Sequence, residues 1–237
     1  MKKTTSMLII CDYRIPLIMA ERLKQYGNLV LFKNENLLNS PLHGHTDLHI
    51  CETPYGLIIA PNIPKEYLYI FNQNKIKYTF GKNDVSTEHP KIALYNSVVT
   101  NKVIICNTKT TDEQILLKNK NKTIIDVKQS YCRCSTFAIN DKSFITSDLP
   151  THKKILEKGF DSFYVETKNI ILPDYPYGFI GGCLGVNRKI HEIVITGSLS
   201  KTHINNELEK YINLKGYKLI QLSNETLYDV GGIFFID

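Results

Sequence analysis

His45-Thr46-Asp47-Leu48-His49-Ile50-Cys51-Glu52-Thr53-Pro54-Tyr55-Gly56-Leu57-Ile58-Ile59-Ala60 is the stretch on which the fold turns. Two runs of strand character, 45–52 and 57–60, face each other across Pro54-Tyr55-Gly56, a hairpin signal. A helix over 65–72 and a strand over 77–80 follow, so the stretch opens a ββαβ unit.

The unit recurs along the chain. Strands over 94–99 and 103–107 turn at Asn101-Lys102, a helix opens at Thr111-Asp112-Glu113-Gln114 where Thr or Asp can cap free N–H groups, and a strand covers 123–127. Strands over 134–139 and 144–146 precede a helix after Asp148-Leu149-Pro150 and a strand over 162–165. Strands over 178–186 and 192–196 precede a helix over 203–214 and a strand over 218–222. The remaining pieces are complementary. A strand over 7–11, a helix over 17–26 and a strand over 28–32 lack a first strand, and the run 227–236 lacks a helix. Joined, they make a fifth unit of roughly 45 residues, and a fixed period of this kind marks an array. The expectation is an α/β fold, one domain over 1–237: a five-bladed α/β propeller of ββαβ repeats, pseudo-five-fold, closed by pairing of the N- and C-terminal segments as propellers close.

Composition limits the function classes. A hydrophobic content of 43% with 22% charged residues suits a globular chain that buries a core. The net charge is +6, but its lysines are scattered and form no basic run, so no nucleic-acid arm is expected. Six cysteines in 237 residues do not read as a disulfide framework. The apolar run 7–11 is interrupted by Asp12 and Arg14, too early for a signal peptide or a membrane span. A cytoplasmic protein with reduced thiols is expected.

Chemistry concentrates in Gln129-Ser130-Tyr131-Cys132-Arg133-Cys134-Ser135-Thr136. A thiol beside a fixed positive charge loses its proton more easily, and the thiolate is the nucleophile. By residue type alone, Cys132 and Cys134 read equally as small residues packed in a strand. In an extended strand, His45 and Asp47 share one face and supply a base and a carboxylate together. A hydrogen-bonded structural histidine at 45 and a turn aspartate at 229 remain open readings of the same residues.

Taken together, Gly44-His45-Thr46-Asp47, Tyr131-Cys132-Arg133-Cys134-Ser135-Thr136, Gly178-Phe179-Ile180-Gly181-Gly182 and Leu227-Tyr228-Asp229-Val230-Gly231-Gly232 fall one per unit. The chain so read resembles a bacterial branch of the pentein fold. That is the fold of the guanidino-group-modifying enzymes: arginine and agmatine deiminases, dimethylarginine hydrolases and amidinotransferases. The resemblance implies Cys134 as nucleophile, ahead of Cys132, and His45 as general acid/base. It makes Asp47 and Asp229 guanidinium-binding carboxylates. Asn96, on the 94–99 strand of the intervening unit, and Arg133 are included with the substrate-binding residues. It implies a cysteine-dependent hydrolase or transferase acting on a guanidine- or amidine-like small molecule through a thiouronium-type intermediate, with no cofactor. The order of the motifs is cyclically permuted relative to the hydrolases.

One departure stands out. The hydrolases carry a further acid where this chain has Phe179-Ile180-Gly181-Gly182-Cys183, and the nearest carboxylate is Asp174. A guanidinium presents a planar fork of donors that suits two carboxylates. The alternative is therefore a catalytically silent pentein that serves as a binding module. Residues 43, 45, 47, 49 and 51 alternate metal-competent side chains, but neighbouring ligands on one strand rarely complete a tetrahedron, so no metal is expected.

Overall fold

Leu8-Ile9-Ile10-Cys11 is a continuous apolar run, as a strand buried on both faces requires. It forms β1 (Leu8–Asp12), followed by α1 (Leu17–Leu23) and β2 (Asn28–Phe32). In the computed structural model, which describes residues 7–35, 42–166, 168–201 and 206–237, every residue of β1 is buried while β2 keeps only Phe32 fully inside. A similar gradation recurs in each unit: the middle strand is buried but for the first residue of Gly56–Ile59 and of Glu192–Ile195, and the third strand is partly wet.

The second unit is β3 (Ile50–Thr53), β4 (Gly56–Ile59), α2 (Lys65–Gln73) and β5 (Tyr78–Phe80). The third is β6 (Val98–Val99), β7 (Val103–Cys106), α3 (Glu113–Lys118) and β8 (Thr123–Asp126). The fourth opens on a single helical turn, α4 (Cys132–Ser135), before β9 (Thr136–Ala138), β10 (Ser143–Thr146), α5 (Leu149–Glu157) and β11 (Asp161–Tyr164). The fifth runs β12 (Leu184–Asn187), β13 (Glu192–Ile195), α6 (Glu207–Leu214) and β14 (Lys218–Gln221), and the chain ends on β15 (Phe234–Ile236). Two helices begin where capping chemistry places them. The Asp112 carboxylate accepts from Gln114 N–H, and that of Asp148 from Thr151 N–H. The expected helix over 203–214 starts at Glu207, and residues 202–205 lie outside the described residues.

Among the described residues the strands form five three-stranded sheets. In each, the first pair is antiparallel and the second parallel, as β3–β4–β5 and β9–β10–β11 illustrate. The sheet β15–β1–β2 is built from both ends of the chain, with Leu8 opposite Ile236 and Ile10 opposite Phe234. First strands of neighbouring sheets lie against one another: β3 with β6, β6 with β9, and β12 with β15.

The first strands are shorter than their sequence suggests. Residues 45–49 are a 3-10 turn, closed by Leu48 N–H to His45 C=O and His49 N–H to Thr46 C=O, not an extended strand. Helical turns likewise replace the beginnings expected of the strands at 134 and 178, at Cys132–Ser135 and Gly181–Cys183. In the strand expected over 94–99 only Val98–Val99 is extended, preceded by a 3-10 turn at Lys91–Ala93. From 227 onward only Phe234–Ile236 forms a strand. The reason is burial. His45 through Ile50 are all inside, so alternation of polarity there does not report alternation of exposure. Among the described residues, no helix is long and apolar enough to cross a membrane.

Candidate active site

The helical turns bring the expected residues to one place. The turn after His45 is tied down by Asp47 N–H, which donates to Gly231 C=O at 3.3 Å. On the facing turn, Cys134 Sγ donates to Asp47 Oδ2 at 2.9 Å. The His45 Nδ1 lies 4.0 Å from Asp47 Oδ1, and its Nε2 lies 3.8 Å from Asp12 Oδ2. Among the described residues neither imidazole nitrogen has a hydrogen-bond partner, nor does Asp47 Oδ1.

Asn96 holds the two turns together. Its Oδ1 accepts from the backbone N–H of Arg133 at 2.7 Å and of Cys134 at 3.1 Å. Its Nδ2 donates to Asp47 C=O and to Cys134 Sγ, both at 3.1 Å. Expected at the substrate, Asn96 uses its hydrogen-bonding capacity here to fix the position of Cys134. Asp229 is buried on the other side of His45, where its carboxylate accepts from Phe179 N–H at 2.8 Å and Gly231 N–H at 3.0 Å. Gly182 is required here, because a Cβ at this position would run into the Asp229 carboxylate.

A cavity of 260 Å³ opens on this cluster. His45, Cys134 and Asp229 form its floor, and its walls include Leu42, Tyr131, Leu172, Tyr175, Tyr177 and Phe179. Asp47 is not in the wall; it supports the thiol. The nearest acid to the Gly181-Gly182 motif in sequence, Asp174, does not line the cavity.

Electrostatics reverse one expectation. Burial pushes the Asp47 carboxyl up to about 6, against the opposing pull of His45, the Cys134 hydrogen bond and Arg133. Burial also raises Asp229. The Cys134 thiol is held well above its ordinary value, first by burial and then by the charges of Asp47 and Asp229. An Arg133-activated thiolate is therefore not what the fold builds. The Arg133 guanidinium points away, donating to Gly181 C=O at 2.6 Å and Leu184 C=O at 3.2 Å. It stacks between Phe137 and Phe234, 5.4 and 5.3 Å from their ring centres, and lines a separate small cavity with Glu52 and Arg188. Expected to bind substrate, Arg133 instead braces the turn beneath Cys134.

On an extended strand Cys132 and Cys134 would share one face. On a helical turn, residues two apart diverge by about 200°. Cys132 Sγ accordingly donates to Gln129 C=O at 2.9 Å and packs in an apolar cluster with Val103, Ile105 and Phe144. The alternating metal-competent ladder is dispersed as well. His43 is hydrogen-bonded to Tyr13, His49 packs on Phe32, and Cys51 faces Ser97 C=O. What assembles instead is His45, Asp47 and Cys134, whose ligand-competent atoms all lie within 4.8 Å of one another.

Asp12 is the residue that sequence reasoning passed over. It ends β1, is buried, accepts from Arg14 through both carboxylate oxygens, and faces His45. The signal was present: an acid closing an otherwise apolar buried strand. A Cβ at Gly44 would collide with this carboxylate, which accounts for the glycine just before His45.

A family of unknown function, DUF6873, matches the chain over residues 10–234. No curated protein matches it. Among solved structures, it is similar to a dimethylarginine dimethylaminohydrolase (DDAH) from Pseudomonas aeruginosa, a cysteine-to-serine mutant complexed with citrulline. That match has 11% identity, a TM-score of 0.54 and 92% of each chain covered. A dimethylarginine dimethylaminohydrolase adduct with S-methyl-L-thiocitrulline matches with the same identity, TM-score and coverage. C. jejuni agmatine deiminase matches at 10% identity and a TM-score of 0.53, over 91% of this chain and 87% of its own. These are pentein-fold proteins, and the five small sheets of this chain match theirs.

Proposed function

The chain belongs to the family of unknown function DUF6873, and we propose that it is a cysteine-dependent hydrolase or transferase of guanidine- or amidine-like small molecules. The reading is of one domain, its five sheets closed as a five-bladed ring, working in the cytoplasm without nucleic acid. The observation that carries it is the Cys134–Asp47 hydrogen bond of 2.9 Å beside His45, on the cavity that Asp229 also lines. The structural relatives include proteins captured with citrulline and with S-methyl-L-thiocitrulline, both ligands of guanidino chemistry.

In this mechanism a planar cation settles over Asp229, with Asp47 behind the thiol. Its charge offsets the two carboxylates that hold the Cys134 proton on, so binding and thiolate formation are coupled. Cys134 Sγ forms a bond to the central carbon. The thiol proton passes by way of Asp47 to His45 and from His45 to the departing amine as the C–N bond breaks. A thiouronium remains on Cys134. Water then adds to the same carbon, His45 takes a proton from it, the C–S bond breaks and Cys134 regains its proton. In a transferase an acceptor amine takes the place of water. Asp12 faces the other imidazole nitrogen and orients the ring.

Alkylation by chloroacetamidine tests this reading, because the probe carries an amidinium fork and a displaceable chloride. Peptide mapping is expected to find the label on Cys134, with protection by methylguanidine and slower labelling in His45→Ala. Equal labelling of Cys132 or Cys183 would oppose it.

A further inference from the structure

The part of the cavity beyond its reactive floor differs in character from the floor. Asp229 is the one acid among the described lining residues, and the walls that a substrate's tail would meet are Tyr131, Tyr175, Tyr177, Phe179, Leu42 and Leu172. Among the described residues, no lysine or arginine lines this cavity. Arg133, next to Cys134 in sequence, is engaged on the carbonyls of Gly181 and Leu184, and Arg14 on Asp12. Lys168 and Lys201 line a separate groove that shares only Leu172, Tyr175 and Pro176 with it, and Lys168 is paired with Glu166 at 2.8 Å. The six residues preceding Leu42 add no lysine or arginine to the sequence.

From this we infer that the substrate is a guanidine or amidine with an aromatic or other apolar substituent and no carboxylate. The inference rests on the proposed guanidine chemistry for the position of the cationic head. A carboxylate tail, as in an α-amino acid, would give up its water between apolar walls and meet no cation in exchange. It would also lie in the field of Asp229. An aromatic tail meets the opposite conditions: tyrosine and phenylalanine rings offer edge-to-face and offset contacts, and the area buried is apolar. At 260 Å³ the cavity falls just below the usual ligand-pocket range of about 300–1,000 Å³, which favours a compact molecule.

Calorimetric titration of the intact protein with phenethylguanidine, methylguanidine and L-arginine tests the tail without requiring turnover. Phenethylguanidine is expected to bind about 10-fold or more tighter than either of the others, the worth of one half-enclosed aromatic ring. Tyr175 is 43% exposed, so Tyr175→Ala leaves the core untouched. That variant is expected to lose most of the advantage of the phenyl tail over methyl. L-arginine binding as tightly as phenethylguanidine would overturn the inference, as would a phenyl tail that adds nothing over methyl, or no binding by any of the three. Failure of chloroacetamidine to label Cys134 would oppose the catalytic chemistry alone, since the order of these affinities is read independently of any reaction.

Discussion

Asp47→Asn is expected to stabilise the folded protein near neutral pH while weakening its hold on a guanidinium. The carboxyl is fully buried, and burial moves it from an ordinary 3.8 to about 6. The folded state therefore holds the Asp47 proton more tightly than the unfolded state, and stability falls as pH rises between those values. Below about 4 the cost of burying the group is absent, and above about 6 it is complete, at roughly 3 kcal/mol. Asparagine carries no such penalty at any pH. The difference in unfolding free energy between the variant and the natural protein should thus shift in favour of the variant by roughly 2 kcal/mol between about pH 4.5 and pH 7.5. Urea unfolding of both proteins at the two pH values measures this shift directly. A difference independent of pH, or one that moves against the variant as pH rises, would refute the claim that Asp47 is an ionised group held at a cost to the fold.

Three further outcomes follow from the same geometry. Methylguanidine binding should weaken as pH falls through about 6, where Asp47 gains its proton, and Asp47→Asn should flatten that dependence; titration calorimetry across the range reads both. Asn96→Ala strands two buried N–H groups and the Asp47 carbonyl, so a destabilisation of roughly 3 kcal/mol or more is expected in urea, and equal midpoints would contradict the clamp. Cys134 should react faster with the cationic chloroacetamidine than with neutral iodoacetamide at neutral pH, since Asp47 and Asp229 attract the one, while burial and the same two carboxylates leave the thiol protonated against the other; competition followed by peptide mass spectrometry decides it.

Much of the fold can be read directly from the chain because its units repeat. The apolar middle strands at 57–59, 103–106 and 144–146, the capping aspartate 112, and the complementary ends are legible in the chain, and each survives in the structure. The site is legible in membership more than in geometry. His45, Asp47, Cys134 and Asp229 do come together, yet not by way of the extended strands that the alternation suggests. Periodicity carries information only when one face is wet, and residues 45–50 have no wet face. The surroundings of Arg133 and Cys132 have the same origin. On a strand Arg133 faces away from both cysteines; on the helical turn it runs beneath the thiol to the carbonyls of Gly181 and Leu184. Asp12 was read only for what it interrupts, because its partner His45 is thirty-three positions away and nothing local joins them.

The central claim is that Cys134 attacks an amidino carbon. S-methylisothiourea puts it to the most direct test, because thiolate attack expels methanethiol whatever tail the natural substrate carries. Acid quenching after brief incubation, followed by intact-mass and peptide measurement, should find one amidino group on Cys134, lost again on standing as water attacks. The adduct should be absent from Cys134→Ser and slower to form in His45→Ala. Saturable binding of S-methylisothiourea with no adduct on Cys134 at any time would contradict the account and leave a pentein that binds but does not react.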